Sequence, residues 1–458
     1  MASAEDQPLT PSICGSSGKI GSVTFANQRE HVSPARWVPT LYFAEGLPFY
    51  TVGLVALIFY QRAGVSNTVI ALTTSLLGIP WSLKPLWSPF LEMYRSRKFF
   101  VVCFELIGGI SLGVLALCLP LSGYFRYSVA LFAVAAFCSS SHDIVADGLY
   151  IASLSSRQQS AYAGWQGAFY NVARFLAQGG IIILAGYLES RLPMLRAWMI
   201  IFGLLGLMLL VLALYHAWTL PPGGGHRKSG NAHDVARTYW DVIASFFRKP
   251  HIILILVFIF LYRAGEGQLV KVGPLFLKSL RADHGLGLTT AQFGTIYGTF
   301  GTAAFIGGTV LGGYFASWLG LKRAILPLVL IMNLPNAAYV YLSVFAPADL
   351  SLITAALCLE MFGYGFGFVG VILLMMQEIA PGKYQAAHYA FANSLMNLGL
   401  VVPGALSGYV QKWLGYEKFF VWVLISAVPA VLMARFIPLH SSDQPAQGRT
   451  AVAMAEVE

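Results

Sequence analysis

Twelve stretches of this sequence are long and apolar enough to cross a lipid bilayer as helices. A helix needs roughly 20 mostly apolar residues to cross about 30 Å of hydrocarbon. The stretches form two sets of six, separated by a polar segment: near 38–60, 68–91, 98–121, 126–150, 161–188 and 194–218, then near 251–277, 290–316, 323–345, 350–377, 385–410 and 418–437. We therefore predict an all-α integral membrane protein with twelve transmembrane helices.

The composition agrees with this prediction. Charged residues make up 11 % of the chain and hydrophobic residues 57 %. A soluble domain carries about 25 % charged residues, and so few charges cannot cover a water-exposed surface of this size. The composition therefore excludes a soluble enzyme, a disordered chain and a nucleic-acid-binding protein, despite the net charge of +9. The expected partner of the surface is the lipid bilayer.

Lys and Arg in the predicted loops concentrate on the side that carries both termini, with seventeen there and eight on the other side. Because cytoplasmic loops carry the excess of Lys and Arg, we expect both termini in the cytoplasm. The predicted order is a polar cytoplasmic N-terminal tail, a six-helix bundle, a cytoplasmic linker, a second six-helix bundle and a cytoplasmic C-terminal tail, over residues 1–36, 37–218, 219–250, 251–437 and 438–458.

The two halves of the chain match each other in register. Residues 41–46 (LYFAEG) resemble residues 261–267 (LYRAGEG). Five further positions match positions 226 residues later: Arg157, Gln159, Ala161, Trp165 and Asn171 match Lys383, Gln385, Ala387, Phe391 and Asn397. Parallel repeats of this kind are typical of transporters in which two pseudo-symmetric six-helix bundles rock around a site at the bilayer midplane.

Three segments carry a resemblance to known transporters: 43–48 (FAEGLP), 84–89 (KPLWSP) and 142–147 (HDIVAD). With twelve spans, a long loop between spans 6 and 7 and basic loops between spans 2 and 3 and spans 8 and 9, the chain resembles the major facilitator superfamily. The three segments resemble its branch of AmpG-type muropeptide permeases, acetyl-CoA transporters and single-component siderophore permeases.

The resemblance implies a monomeric secondary active transporter, not an enzyme, in a bacterial inner membrane. Proton-coupled uptake of a medium-sized, partly anionic solute, similar to an anhydromuropeptide, is the expected activity. The alternatives are a siderophore or acyl-CoA permease of the same fold and, in a different class, a membrane-embedded enzyme. No phosphate-binding loop motif and no Cys/His metal spacing occurs in the sequence, so we predict no cofactor and no metal.

Four acidic residues within the predicted spans are candidates for proton coupling: Asp143, Asp147, Glu45 and Glu266. A charge within the bilayer is costly and usually faces a cavity or a partner. Asp143 and Asp147 lie one helical turn apart on the same face, and two carboxylates that close do not both ionise readily. The alternative for Asp147 is a salt bridge at a gate or a solvated helix end.

Glu45 and Glu266 occupy matching positions in spans 1 and 7. Glu45 precedes Gly46 and Pro48, and glycines flank Glu266 on both sides. We expect these residues to loosen the helix locally and to free backbone groups at the depth of a central cavity. The alternative is that each carboxylate is neutralised by a neighbouring cation.

Cations, amides and aromatic rings in the spans are candidates for binding substrate. Arg presents a fork that suits carboxylate or phosphate. The predicted substrate-binding residues are Arg174, Lys84, Arg263, Gln166, Asn171, Trp165, Tyr42 and Tyr262. The alternatives are that Lys84 only balances Asp143 or Glu45, that Arg263 only balances Glu266, and that the amides hydrogen-bond neighbouring helices. Glu105 and Glu360 are expected to be packing residues or to form hydrogen bonds between helices.

The basic loops between spans 2 and 3 and between spans 8 and 9 resemble the cytoplasmic gate motif of the superfamily, with Glu92 where the motif usually has Asp. The gate residues are Glu92, Arg95, Arg97, Lys98, Lys322 and Arg323. The resemblance implies salt bridges between the bundles that hold the outward-open state. The alternative is a loop that only follows the positive-inside rule.

Overall fold

The computed structural model describes residues 32–88, 91, 96–223 and 232–439, and these residues are helical with short connections. We number the membrane-spanning helices in chain order: α1 (Pro34–Arg62), α2 (Asn67–Leu86), α3 (Arg97–Cys118), α4 (Tyr124–Ser153), α5 (Arg157–Glu189), α6 (Met194–Thr219), α7 (Ile252–Lys278), α8 (290–319), α9 (Leu321–Phe345), α10 (Leu350–Ile379), α11 (385–414) and α12 (416–433).

The predicted number of twelve spans agrees with this structure. Ten helices of the described residues are long and apolar enough, taken singly, to cross a membrane. One of these, Ala387–Met433, holds both α11 and α12, because Gly415 has φ 74° and ψ 171° and turns the chain between them. The twelfth is α8, whose seven glycines lower its apolar content.

Glycines permit the closest helix contacts within the C-terminal bundle. A Cβ atom on Gly308 of α8 would lie 2.1 Å from the carbonyl oxygen of Phe362 in α10. A Cβ on Gly365 would lie equally close to the carbonyl oxygen of Phe305. Small residues let backbones meet where lipid supplies no hydrophobic force between helices, and these contacts join α8 firmly to α10.

The predicted linker, 219–250, contains a helix, Ala232–Phe247, which we call the linker helix. Phe246 of this helix is fully buried, and its ring lies 4.8 Å from the ring of Phe391 in α11. The linker helix therefore packs on the C-terminal bundle. Since each bundle has an even number of spans, both ends of the described chain lie on the same side as the linker helix. We call this side the terminal face and the other side the opposite face.

Candidate functional site

The two bundles meet most closely where α5 passes α8 near the opposite face. A Cβ on Gly298 would lie 1.8 Å from the carbonyl oxygen of Gln178. One on Gly186 would lie 2.3 Å from the backbone nitrogen of Ala291. No side chain fits at these positions, so the bundles are in backbone contact there.

Helix α2 forms the second contact between the bundles, with α11 and with the start of α12. Near the opposite face, Asn67 donates to the hydroxyl of Tyr416 (2.8 Å) and Thr68 donates to the carbonyl oxygen of Gly408 (3.2 Å). Near mid-span, the amide of Asn397 donates to the hydroxyl of Ser82 (2.8 Å). With the contact of α5 and α8, these bonds close the molecule from its middle to the opposite face.

The carboxylate of Glu189 ties the bundles together at the opposite face. It accepts hydrogen bonds from Arg62 (3.1 Å) and Trp198 (2.8 Å) of its own bundle and from Thr290 of α8 (2.7 Å). The hydroxyl of Thr290 in turn accepts from Lys278 of α7 (2.8 Å). We call this arrangement the Glu189 latch. The sequence analysis missed it because Glu189 lies just beyond an apolar run; the available signal was a lone acidic residue among basic loop residues.

On the terminal side the space between the bundles is open. No described side chain of α5 between residues 157 and 172 is buried. Among these exposed side chains are those of the inward side of the helix, which the C-terminal bundle does not cover. Asp147 of α4 is also exposed. We call this space, which opens to the terminal face, the central cavity.

Four charged residues of the N-terminal bundle, Glu45, Lys84, Asp143 and Asp147, gather at the wall of the central cavity, and we call them the N-cluster. The ammonium of Lys84 lies 2.5 Å from Oδ2 of Asp143, which also accepts from the indole of Trp81 (3.1 Å). The charges of Lys84, Asp143 and Asp147 all act on Glu45. The structure thus brings together three of the four predicted coupling carboxyls and a predicted cation.

Two polar residues extend the N-cluster. The hydroxyl of Tyr42 donates to Oδ1 of Asp147 (3.0 Å), and the amide of Gln166 donates to the Tyr42 oxygen (2.5 Å). Within the described residues, Oε2 of Glu45 and Oδ1 of Asp143 are buried and have no hydrogen-bond partner. The chain of polar groups runs from α5 through α1 to α4, along the cavity wall.

The N-cluster has three carboxyl groups and one ammonium. If all were ionised, the cluster would carry a charge of −2 in a partly buried site, where like charges repel more strongly than in bulk water. A bound proton on a carboxyl group removes part of that repulsion. The cluster therefore has the composition of a site that exchanges protons.

A second group of charges, the C-cluster, comprises Arg263, Glu266, Glu360 and, from the N-terminal bundle, Arg174. Arg263 Nε lies 2.8 Å from Oε2 of Glu266. The buried Glu360 interacts electrostatically with Glu266 and Arg174. Two cations balance two carboxylates here, in contrast to the N-cluster.

Arg174 reaches from α5 across to the C-terminal bundle. Its guanidinium carbon lies 4.0 Å from the ring centre of Phe305 in α8, within cation–π range. Its Nε donates to Gln178 (3.3 Å). The side chain is 7 % exposed, so it lies at the closed end of the central cavity, where the two bundles meet.

Three predicted substrate-binding residues have other contacts. Tyr262 is fully buried, and its hydroxyl donates to the carbonyl oxygen of Gly367 inside the C-terminal bundle; the interpretation of Tyr262 as a cavity residue is therefore wrong. Asn171 donates to the carbonyl oxygen of Gly167 in its own helix (2.8 Å). Trp165 is exposed, and its ring stacks on Phe169.

The predicted local loosening of the helix lies just after Glu45 and Pro48 in α1, and it is not seen at Glu266 in α7. Helix continues through both residues. In α1, a π-helical turn, Thr51–Val55, follows Pro48, which has no backbone N–H to donate within the helix. In α7, the glycines beside Glu266 permit close contacts instead: a Cβ on Gly267 would lie 2.7 Å from the carbonyl oxygen of Leu400.

Of the predicted gate residues, Glu92 and Arg95 lie outside the described residues. Arg97 donates to the carbonyl oxygen of Gly223, at the start of the linker (2.8 Å), and Lys98 lies beside it at the terminal end of α3. Lys322 and Arg323 are exposed at the terminal end of α9. The described gate residues thus border the terminal face, where the central cavity opens.

Comparisons with known proteins agree with this architecture. The model of the Major Facilitator Superfamily matches residues 40–402. The anhydromuropeptide permease of Escherichia coli (strain K12) is 25 % identical over 368 residues, which cover 78 % of this chain and 70 % of that protein. A protein of Rickettsia conorii named putative transporter AmpG 4 is 21 % identical over 410 residues, 86 % of this chain and 93 % of that protein.

Solved structures have the same fold. A bacterial homolog of the human lysosomal transporter Spinster, in an inward-facing, occupied conformation, gives a TM-score of 0.67 at 15 % identity and covers 88 % of this chain and 97 % of its own. A D-xylose-proton symporter gives 0.65 at 14 % identity, with coverage of 88 % and 96 %. Two six-helix bundles around a central cavity fit transport by alternating access. This multi-pass membrane protein therefore belongs to the major facilitator superfamily, and it is a transporter of that family rather than an enzyme.

Proposed function

We propose that this transporter couples the downhill movement of protons to the uptake of an anionic solute of the anhydromuropeptide class. The observation that carries the proposal is the N-cluster, in which three carboxyl groups share the single ammonium of Lys84. The similarity to the anhydromuropeptide permease of E. coli supports the substrate class.

The basic loops support an orientation with the terminal face in the cytoplasm of a bacterial cell, and we propose that the protein works there as a monomer in the inner membrane. In this orientation the structure, closed at the opposite face and open at the terminal face, corresponds to the inward-facing state. The Glu189 latch then closes the outer side, and it must release Thr290 for the cavity to open outward.

Proton binding and anion binding support each other in this scheme. The carboxylate of Asp143 holds Lys84, and that of Glu266 holds Arg263. A proton on either carboxyl group removes its charge, so the cation becomes free to bind a carboxylate of the substrate. Since linkage is reciprocal, the bound anion in turn favours the protonated carboxyl. Asp147 and Glu45, which interact with the same ammonium, distribute the proton within the N-cluster.

The other proposed substrate contacts surround these cations. Arg174 supplies a fork for a carboxylate at the closed end of the cavity. Gln166 and Tyr42 supply polar groups on the wall formed by α5 and α1. Trp165 and Asn171 lie on α5 before and after Gln166. We leave Tyr262 out because its hydroxyl is already bonded inside the bundle.

The gate residues have a role in the opposite half of the cycle. We propose that the basic groups Arg97, Lys98, Lys322 and Arg323 form salt bridges with acidic groups across the terminal face when the cavity opens outward; Glu92 and Arg95, the other predicted gate residues, lie outside the described residues. Such bridges would replace the Glu189 latch as the contact that holds the bundles together.

Uptake into proteoliposomes tests the proposal. Protein reconstituted with an inward proton gradient should accumulate a labelled anhydromuropeptide above its external concentration, and collapse of the gradient by a protonophore should reduce the internal level to the external one. Parallel assays with a ferric siderophore and an acyl-CoA ester test the other permeases of this fold. Uptake of either of those solutes, without uptake of the anhydromuropeptide, would overturn the substrate assignment.

A further inference from the structure

Glu105, His142 and His216 form a buried group inside the N-terminal bundle, outside the central cavity. Oε1 of Glu105 lies 2.7 Å from Nδ1 of His216 and 3.1 Å from Nε2 of His142. The three side chains come from α3, α4 and α6, and none of the residues is more than 3 % exposed. A carboxyl group and two imidazoles in such a place cost desolvation energy, which packing alone does not explain.

The geometry provides two positions, one on each imidazole ring, for one exchangeable proton. With Glu105 ionised, both facing imidazole nitrogens carry hydrogen, and two neutral imidazoles leave the group with a charge of −1. One more proton, on the second nitrogen of either ring, makes the group neutral. An unbalanced charge costs more in a buried site than a balanced pair. In both protonation states the imidazole nitrogens that face Glu105 donate to its carboxylate, and the two states differ by one charge.

Both candidate positions have suitable surroundings. Nε2 of His216 lies 2.9 Å from the hydroxyl of Thr40 in α1. That hydroxyl also lies 3.2 Å from the carbonyl oxygen of Trp37, so it donates to the ring when Nε2 is bare and to the carbonyl when Nε2 carries the proton. The threonine therefore satisfies either state.

On the other ring, Nδ1 of His142 is buried and has no hydrogen-bond partner within the described residues, and the same holds for Oγ of Ser139 and Oε2 of Glu105. These three residues line one small cavity between α1, α3, α4 and α6. The volume of this cavity that the centre of a water molecule can occupy is about 10 Å³. That is roughly the room that one water needs, and three polar groups are enough to hold it.

The group faces the N-cluster across α1 and α4. Ala44, which lines the small cavity, precedes Glu45 in α1, and His142 precedes Asp143 in α4. The charge of His142 acts on the carboxylate of Asp147. The charged and titratable groups near the site are therefore Glu105 itself, His142, His216 and Cys138 and, on the cavity side, Glu45, Lys84, Asp143 and Asp147.

We propose that Glu105, His142 and His216 form a second proton-binding site, buried behind the central cavity. Binding of a proton at this site changes the charge that acts on the carboxyl group of Asp147. The proton-binding part stands on the geometry of the three residues alone. The effect on transport rests on the proposed function. An added proton on His142 stabilises the ionised carboxylate of Asp147, so a proton held behind the cavity helps to release one within it.

Nuclear magnetic resonance of the full-length protein, labelled with ¹⁵N in its nine histidines, tests proton binding without any substrate. The signals are assigned with His142→Asn and His216→Asn. Between about pH 5 and pH 9, the range in which imidazoles titrate, both rings should report one common protonation step. Glu105→Gln should shift that step or remove it, and His251→Asn, at an exposed turn, should leave it unchanged.

A second variant keeps the proposal testable if Glu105→Gln does not fold. Asp147→Asn removes the facing charge from the cavity side, and it should move the midpoint of the common step to lower pH, because the carboxylate no longer stabilises the imidazolium. The proposal is overturned if both rings stay in one protonation state over the whole range, or if the midpoint is the same in Asp147→Asn and in the unchanged protein. Neither result depends on whether the chain transports an anhydromuropeptide.

Discussion

The ammonium of Lys84 in α2 lies 2.5 Å from the carboxylate of Asp143 in α4, at the wall of a cavity that separates two six-helix bundles. This pair is partly accessible, with Lys84 22 % and Asp143 9 % exposed in their side chains. Its position makes it available both to protons and to an anionic solute.

Asp143→Asn should abolish accumulation against a gradient and spare exchange of labelled for unlabelled solute. The asparagine keeps the size of the side chain but carries no titratable group, so the bundles still rock and the proton no longer drives them. Uphill uptake and counterflow in proteoliposomes check this. Asp283→Asn, in an exposed loop, is the matched control and should retain both activities. Unchanged uphill uptake in Asp143→Asn would mean that Asp143 does not couple.

Lys84→Met should destabilise the protein. Loss of the ammonium leaves the Asp143 carboxylate unpaired in a partly buried site. Because the pair is partly accessible, the cost should be below the roughly 3–5 kcal/mol of a fully buried pair. Thermal unfolding in detergent checks this, and the double variant Lys84→Met with Asp143→Asn should recover most of the lost stability, because it removes the unpaired charge. A single variant as stable as the unchanged protein would contradict the prediction.

Arg174→Ala should weaken the binding of an anionic anhydromuropeptide much more than that of a neutral analogue in which the carboxylates are amidated. A hydrogen bond to a charged group contributes about 1.5–3 kcal/mol, which corresponds to roughly a 10- to 150-fold change in Kd. Isothermal titration calorimetry with both ligands checks this. Equal losses for the two ligands would show that Arg174 supports the structure of the site and does not contact the anion.

The affinity for the anionic ligand should rise as the pH falls from about 8 to 5, the direction expected when protons neutralise paired carboxylates. A proton on a carboxyl group that pairs with a cation frees that cation for the ligand, so protons favour binding. The amidated ligand should lack this dependence, since it does not use the freed cations. Calorimetry at several pH values measures both. Tighter binding of the anion at high pH would contradict the proposed exchange of partners.

Gly298→Ala should prevent closure at the opposite face. Its Cβ would lie 1.8 Å from the carbonyl oxygen of Gln178, so the bundles cannot return to this conformation. Spin labels on the loops between α1 and α2 and between α7 and α8 should move apart in the variant, and uptake should fall by more than tenfold, about 1.4 kcal/mol. Gly307→Ala is the matched control on the same helix, since no atom lies within 4 Å of that Cβ. Equal label distances in both variants would contradict the assignment of this contact as a closing surface.

The sequence predicted the helices and much of the N-cluster because both follow from local rules. Apolar runs of sufficient length determine the spans, and the four-residue spacing places Asp143 and Asp147 on one face. The pairing of Lys84 with Asp143 was among the alternatives, since both lie at a similar depth. Periodicity, however, does not tell a side chain that faces the centre of its own bundle from one that faces the other bundle, and for that reason Tyr262 was misplaced.

Other features required knowledge of which helices meet. The contact between Gly298 and Gln178 joins halves of the chain that are 120 positions apart, and no local pattern indicates it. Glu189 binds Thr290 only because α5 and α8 converge at the opposite face. His142 and His216 approach Glu105 from separate helices, and the sequence supported only an interhelical bond at Glu105.

Proton movement during transport is the most direct test of proton coupling. Proteoliposomes that contain a pH-sensitive dye, with no initial pH gradient, receive an outside-to-inside gradient of anhydromuropeptide. We expect the interior to acidify as the solute enters, the Asp143→Asn protein to transport the solute downhill without acidification, and Asp283→Asn to behave like the unchanged protein. Entry of the solute without acidification in the unchanged protein would contradict proton coupling.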